Sequence, residues 1–390
     1  MGISLGLVGL GSFGSSMAEL FKSHPLVERI ALCDREPERT RKFAERESFQ
    51  DKLDPSDVYD SLDEILKTDI DALAIVTQPW LHAPQAVKAM KSGKHVYSAV
   101  PVMSVPDGDE ILEWCDRIVK TCEGTGCRYM LGETTYYRPQ TMYCRRRADA
   151  GDFGDFVYAE GEYFHDVDSP SCTLREVQRH RHDSKAGREW TEESKVYEKR
   201  GILYGPMHYP THSTSGPVSV MKAHATKVSA LAYFNKHDDP YFGKSPSNET
   251  ALFRMSNEAH VRICEYREIS LPGREIFRVY GNRGSFENDS WCDREGAEGL
   301  SVDEMRDPLP DDVYQAFHDA NPRDVYGGHG GSHAYLVNEF VQSVNSDRQP
   351  ATNAWEAVRY MAMGVMAHKS ALMGGAVLEV PDWGDAPDEG

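Results

Sequence analysis

Along its first third the chain alternates short apolar runs with stretches whose apolar residues recur every three or four positions. That pattern predicts a parallel sheet covered by helices. Ile3–Val8 reads as the first strand and Ser15–Ser23 as the helix after it. Arg29–Cys33 is a second strand, followed by a charged amphipathic helix over Pro37–Glu47. Asp71–Val76 is apolar at every position but its first, as expected of a strand buried on both faces. Ala83–Ser92 reads as helix, His95–Tyr97 begins another strand, Pro106–Cys122 is a further helix, and Arg128–Leu131 closes the unit.

After residue 132 the pattern changes. Phe156–Phe164, Lys227–Phe234, Thr250–Met255, His260–Tyr266 and Glu275–Tyr280 read as strands following one another without intervening helices. That points to a mixed or antiparallel sheet. The polar, weakly periodic stretch Pro170–Arg200 reads as a surface excursion near a ligand mouth. Two last helices, Ser332–Val344 and Ala354–Met373, precede an acidic tail that reads as frayed, and no internal repeat is present. The expected fold class is α/β. A doubly wound parallel sheet of Rossmann type occupies 1–131, and an α/β domain with a large, mostly antiparallel open sheet occupies 132–390. The last helices are free to pack back on the first domain.

Composition narrows the partners. The 390 residues carry 43 basic and 62 acidic side chains, a net charge of -19. An excess of that sign excludes a nucleic-acid or anionic-membrane surface, which needs clustered Lys and Arg. Arg145-Arg146-Arg147 is too short a run to change this and reads as a solvated helix face. The eight cysteines (33, 115, 122, 127, 144, 172, 264 and 292) include no C-x-x-C pair, which points to free thiols and a cytoplasmic protein. Ile3–Val8 has no basic segment before it and runs straight into Gly9, so it is not a signal-peptide core. No stretch approaches the roughly 20 apolar residues of a membrane span.

Gly9-Leu10-Gly11-Ser12-Phe13-Gly14 is a G-x-G-x-x-G between the first strand and its helix, and Asp34 stands 20 residues beyond Gly14 at the end of strand two. The first glycine permits a tight turn, the second lets a pyrophosphate approach the backbone, and the third allows close helix–strand packing. The helix N-terminus offers free N–H groups to the phosphates. Asp34 accepts from ribose hydroxyls and repels a 2′-phosphate, so the expected cofactor is NAD, with Arg35 able to soften that preference. Thr77, Trp80 and His82, directly after a buried strand, and Ala99 and Pro101, at the next strand end, should border the same cleft.

These residues resemble the Gfo/Idh/MocA family of sugar and polyol oxidoreductases over essentially the whole chain. The likeness rests on the glycine turn, the Thr77–His82 loop, Gly93-Lys94-His95-Val96 leading to Pro101, and Gly151-Asp152-Phe153-Gly154. Two departures separate the chain from the family's ordinary dehydrogenases. Where they carry Glu-Lys-Pro it has Ala99-Val100-Pro101, and where they carry Asp-x-x-x-His-x-x-Asp it has Gly205, Tyr209 and His212. Val100 can neither give nor relay a proton. Tyr163-Phe164-His165-Asp166, Tyr209-Pro210-Thr211-His212 with Gly216-Pro217, and Gly328-His329-Gly330-Gly331 are instead similar to the NAD-dependent glycosidase branch, the α-N-acetylgalactosaminidase-like enzymes. Ala99 departs from that branch, which tends to an acidic residue there.

The resemblance implies chemistry in which the cofactor is not consumed. Hydride leaves C3 of a sugar, the ketone acidifies the C2 proton, the C1 substituent is eliminated, water adds, and C3 is reduced again. Such a cycle needs groups that move protons, and His212 and Tyr163 are the expected pair, with Tyr209 beside them. His165, Glu133 and His329 are expected to touch the sugar. Each has a plainer reading: Tyr163 as a sheet-surface aromatic, His165-Asp166 as a structural pair, Glu133 and Tyr136 as packing of the domain seam. His329–His333 can likewise be a loop capped by Ser332. His165, His208 and His212 suggest a metal site, but Pro210 interrupts the helix that would align the last two, and the reading is no metal. The implied partners are a small carbohydrate and further copies of the chain, as a homodimer or homotetramer. A plain sugar or polyol dehydrogenase and a non-catalytic sugar or nucleotide sensor are the competing readings.

Overall fold

The computed structural model describes residues 2–169, 174–271 and 273–387. Its first part runs β1 (Ile3–Val8), α1 (Ser12–Ser23), β2 (Val27–Cys33), α2 (Pro37–Ala44), β3 (Leu53–Tyr59) and α3 (Leu62–Ile65). It continues with β4 (Ala72–Ile75), α4 (His82–Lys91), β5 (His95–Ser98), α5 (Gly108–Thr125) and β6 (Tyr129–Leu131). The strands form one parallel six-stranded sheet in the order β3-β2-β1-β4-β5-β6. The direction of winding reverses between β1 and β4, and ligands of such sheets bind in the crevice at that point.

Strand β3 was not expected from the pattern. Its Leu-Asp-Pro-Ser-Asp-Val-Tyr sequence lacks an apolar run because it is an edge strand, where proline and exposed polar residues are tolerated. Helix α1 begins at Ser12, earlier than the periodicity placed it, because the glycine turn passes directly into the helix.

The second part opens with α6 (Pro139–Asp149) and β7 (Phe156–Phe164). The expectation of strands without intervening helices fails next. The excursion is helical, with α7 (Leu174–Asp183), α8 (Lys185–Glu193) and α9 (Lys195–Arg200), and α10 (Thr211–Met221) follows. Residues 170–173 of that stretch, Cys172 among them, lie outside the described residues. The three excursion helices are short and mostly polar, so each shows too few apolar positions for a period to be read. Helix α10 is buried at every position and therefore has no polar face to mark its period.

The sheet continues through β8 (Ala225–Phe234), β9 (Pro246–Met255), β10 (His260–Tyr266), β11 (Arg274–Gly281), β12 (Gly284–Glu287), β13 (Ser290–Asp293) and β14 (Gly296–Gly299). Short helices α11 (Val302–Met305) and α12 (Asp311–Ala320) lead to α13 (Gly328–Asn345), α14 (Ala354–Leu372) and β15 (Leu378–Glu379). The nine-stranded sheet has the order β14-β13-β12-β11-β7-β10-β9-β8-β15 and is antiparallel except at β7–β10.

The last helices close the first sheet. Leu336, Val337 and Phe340 of α13 are buried with Leu5, Leu7 and Phe21, while α14 packs on α5. Burying a phenylalanine such as Phe340 is worth about 1.5–3 kcal/mol. The acidic tail is not frayed over its described part. Val380 bonds to Thr226 in the sheet edge, and Arg359 holds Asp382 and Asp385 at 2.7 and 2.8 Å. The described cysteines are free, and all but Cys292 are buried. No described helix is long and apolar enough to cross a membrane.

Candidate active site

The glycine turn has the geometry that a dinucleotide demands. Gly9 has φ +91°, and a Cβ there would lie 2.3 Å from the Val76 carbonyl oxygen. A Cβ on Gly14 would lie 2.0 Å from the Gly9 oxygen, so helix and strand meet at the separation that only glycine allows. A Cβ on Gly11 would have only Arg39 Nη1 near it, at 3.9 Å. The space above Gly11 is therefore open at the N-terminus of α1, whose first turn holds no acidic side chain. Ser12 is exposed there and Phe13 half-buried. Asp34 is buried at the end of β2, where Oδ2 accepts from the Leu10 N–H at 2.7 Å and Oδ1 from the Glu36 N–H at 2.9 Å. This arrangement fits NAD, with Gly9–Gly14 and Asp34 as the holding residues.

The other residues expected at the cleft follow the ends of β2, β4 and β5, and several are engaged with neighbours in the protein. Arg35 does not lie free beside Asp34: its guanidinium is paired with Glu189 of α8. Arg39, which the motif did not point to, lies 3.4 Å from Asp34. His82 turns inward, and its ring sits 2.8 and 3.2 Å from the carbonyl oxygens of Pro101 and Thr77. Burial holds its pKa down at about 4, so it is a neutral tie between two loops. Thr77 donates to Gln85, Trp80 stacks on Trp190, and Ala99 and Pro101 are buried.

The proton-handling residues converge on the second sheet. A Cβ on Gly161 of β7 would lie 1.9 Å from the Ser213 carbonyl oxygen, and one on Gly364 of α14 would lie 2.1 Å from that of Met207. These two glycines let α10 and the turn before it sink between strand and helix. His212 thereby comes to Glu133, just after β6, with Nδ1 2.9 Å from Oε1. The sequence assigned Glu133 to the substrate, whereas here it is fully buried beneath the histidine.

Burial pulls the pKa of His212 down, but the charge of Glu133, with Glu275 and the hydrogen bond, overrides this and raises it to about 9. Burial likewise opposes the ionisation of Glu133, and the facing His212 reverses the effect and lowers its pKa. The pair is therefore ionic at neutral pH. The His212 ring lies 5.0 Å from that of Tyr163 and 5.7 Å from that of Tyr209, and the Tyr209 hydroxyl donates to the Val100 carbonyl at 3.3 Å. That bond joins the cluster to the loop that borders the cofactor cleft.

Tyr163 Oη lies 2.8 Å from His165 Nδ1. Burial pushes the Tyr163 phenol well above its ordinary pKa, although Arg267, centred 4.7 Å over its ring, opposes the shift. Tyr163 and His165 line a cavity of about 440 Å³ together with Arg138, Gly273, Arg274, Glu275 and His329. His329 has φ +54°, in a left-handed turn with Gly330 and Gly331, and its ring stands edge-on to Phe13 at 5.9 Å. The turn thus spans from the glycine loop to the cavity. Ser332 does not cap the helix; its hydroxyl donates back to the His329 carbonyl at 2.6 Å.

Arg138 before α6, Arg274 and Glu275 at the start of β11, and Arg267 over the Tyr163 ring were not anticipated, because nothing local marks an arginine or glutamate as reaching a cavity or ring built from distant segments. Nor were the neighbours of His208. It is fully buried with its ring 4.4 Å from that of His368, whose Nδ1 is 2.7 Å from Glu249 Oε1. His208 and His212 therefore diverge, and among the described residues no three potential ligands are grouped to hold a metal.

Residues 3–133 match the model of the Gfo/Idh/MocA oxidoreductase family, NAD-binding Rossmann fold. Residues 250–386 match the glycosyl hydrolase 109 C-terminal domain. A glycosyl hydrolase family 109 protein of Streptomyces filamentosus is 26% identical over 403 residues, covering 98% of this chain and 77% of that protein. Among solved structures, an oxidoreductase domain protein from Kribbella flavida superposes with a TM-score of 0.72 at 15% identity, covering 98% and 100% of the two chains. An oxidoreductase from Agrobacterium radiobacter in complex with NAD+, L-tartaric acid and magnesium gives 0.68 at 13% identity, covering 97% and 98%. At these identities the structures share the fold.

Proposed function

We propose that this chain, an NAD-dependent enzyme joining a Gfo/Idh/MocA Rossmann domain to a glycosyl hydrolase 109 C-terminal domain, cleaves a glycoside without net redox change. Bound NAD supplies a hydride acceptor that later serves as donor at the same carbon. The remaining work is proton transfer, and the site separates it between two pairs.

Tyr163 keeps its proton at neutral pH and bonds to His165 at the wall of the cavity. When the phenol passes its proton to His165 it can take one from a sugar hydroxyl, and the reverse transfer returns it. His212, cationic on Glu133, gives its proton to the departing C1 group and takes up the C2 proton made acidic by the ketone, so that the imidazolium is restored when the elimination is complete. The addition of water runs the same two transfers in reverse. Arg138, Arg274 and Glu275 suit the hydroxyls of a sugar, because they present donors and an acceptor to one cavity.

The observation that carries this reading is the joint between the two halves. The Tyr163, Tyr209 and His212 rings lie together, and Tyr209 bonds to Val100, the residue that stands where lysine would do the proton work. The open face of the second sheet carries Leu231, Leu252 and Tyr233 at 66%, 50% and 43% exposure. We read it as the surface on which a second copy of the chain packs.

Turnover of an aryl glycoside panel in D₂O tests the function. The expected product carries deuterium at C2 while no net NADH appears in solution. Stoichiometric NADH with no label at C2 makes the enzyme a plain dehydrogenase instead.

A further inference from the structure

Helix α8 reaches from the second part of the chain to the rim of the nucleotide cleft and is fastened there at three points. Arg35 makes two parallel hydrogen bonds to the Glu189 carboxylate, at 2.7 and 2.6 Å. The Lys185 N–H donates to Glu36 at 2.9 Å. Trp190 stacks on Trp80, with ring centroids 5.1 Å apart and planes at 12°. All three partners of α8 belong to the segments that border the cleft, just past Asp34 and just past β4.

In sites of this topology a carboxylate ending the second strand receives the ribose hydroxyls, and an arginine beside it is what accommodates a 2′-phosphate. Two arginines flank Asp34 here. Arg39 is engaged with Asp34 itself, its Nη1 3.4 Å from Oδ2. Arg35 would be the free one, with the planar fork that pairs bidentately with a phosphate. Glu189 occupies that fork. Arg35 and Glu189 are 38% and 48% exposed, so their pairing adds little to folding. What it changes is the charge and the hydrogen-bonding capacity of the rim.

We propose that Glu189 is a determinant of nucleotide specificity, supplied to the Rossmann domain by the inserted helix: by holding Arg35 it denies a 2′-phosphate its partner and selects NAD over NADP. Asp34 repels the phosphate, and Glu189 removes the group that would otherwise compensate. This rests on the reading of the cleft as a dinucleotide site and is independent of the chemistry done on the sugar.

Titration of the full-length protein with NAD⁺ and with NADP⁺, followed by tryptophan fluorescence, tests the proposal in Glu189→Ala, Arg35→Ala and the double variant. Glu189→Ala is expected to tighten NADP⁺ binding about tenfold, the lower end of what a guanidinium–phosphate contact gives, while NAD⁺ binding changes less than about twofold. Added salt should shrink the gain, and the double variant should lose it. An unchanged NADP⁺ to NAD⁺ ratio in a Glu189→Ala protein with normal thermal unfolding overturns the proposal, as does a gain that survives in the double variant. Should Glu189→Ala not fold, Glu189→Gln removes the charge with the shape kept and reads the same ratio. Absence of glycoside cleavage leaves these titrations intact, whereas failure of the unmutated chain to bind NAD⁺ sinks the site reading beneath them.

Discussion

The Nδ1–Oε1 distance is 2.9 Å in the His212–Glu133 pair and 2.7 Å in the His368–Glu249 pair. All four side chains are buried, and in both pairs the carboxylate raises the pKa of a histidine that burial alone would lower. They differ in what surrounds the second nitrogen. His368 Nε2 is 3.0 Å from the Leu203 carbonyl oxygen, and Glu249 also accepts from the Met207 N–H at 2.9 Å. Every polar atom of that pair is committed to holding α14 and β9 to the turn before α10.

His212 spends only Nδ1. Its other nitrogen bonds to nothing among the described residues, and its ring neighbours are two tyrosines, one of them on the cavity wall. A buried ion pair by itself is thus no sign of catalysis. The sign is a pair with one nitrogen left unsatisfied beside a residue of a cavity wall.

The sharpest way to break this comparison is to truncate both histidines. His212→Ala should lower turnover about 10²–10⁴-fold, the usual range for a general acid–base group, with NAD binding spared. His368→Ala should leave turnover per folded molecule close to the unmutated value. If steady-state kinetics show comparable losses in the two variants, the distinction between a working and a structural pair fails.

Stability should move in both. Removing either histidine leaves a buried carboxylate without its partner, which costs about 3–5 kcal/mol. Denaturant unfolding of His368→Ala should show the full loss, because Glu249 has no route to water. A loss well under 1 kcal/mol would mean that this pair does not tie α14 and β9 to the turn before α10.

A smaller effect follows from pH. The folded pKa of His212 is raised to about 9 from 6.5, so the stabilisation from its charged form is fully present below pH 6.5 and is lost as pH rises through about 9. Across that window the unmutated protein should lose about 3 kcal/mol more than His212→Gln does. Equal slopes in the two proteins, measured by denaturant titration at each pH, would show that His212 is not held charged in the fold.

The cofactor turn was legible in the sequence because everything that specifies it is local. Gly9, Gly11, Gly14 and Asp34 act through backbone dihedrals, a helix end and the next strand, and β1 spans the residues that the apolar run predicted. The elements bearing the second site were hidden for opposite reasons: α7, α8 and α9 bury too little to show a period, and α10 buries all of its residues.

Residue type and resemblance named His212, Tyr163, Tyr209 and His165 as a group. They did not reveal that Glu133 lies beneath the histidine or that Arg138, Arg274 and Glu275 complete the cavity. Arg35 is the clearest case. By sequence it stands next to Asp34 and reads as a cofactor residue, yet its partner is Glu189, 154 positions away. Pattern and propensity act over a few residues, so the sequence by itself determined the fold class and the dinucleotide turn. Which charge neutralises which, and which nitrogen stays free, was decided by tertiary structure, because electrostatic pairing depends on distance in space and burial sets its strength.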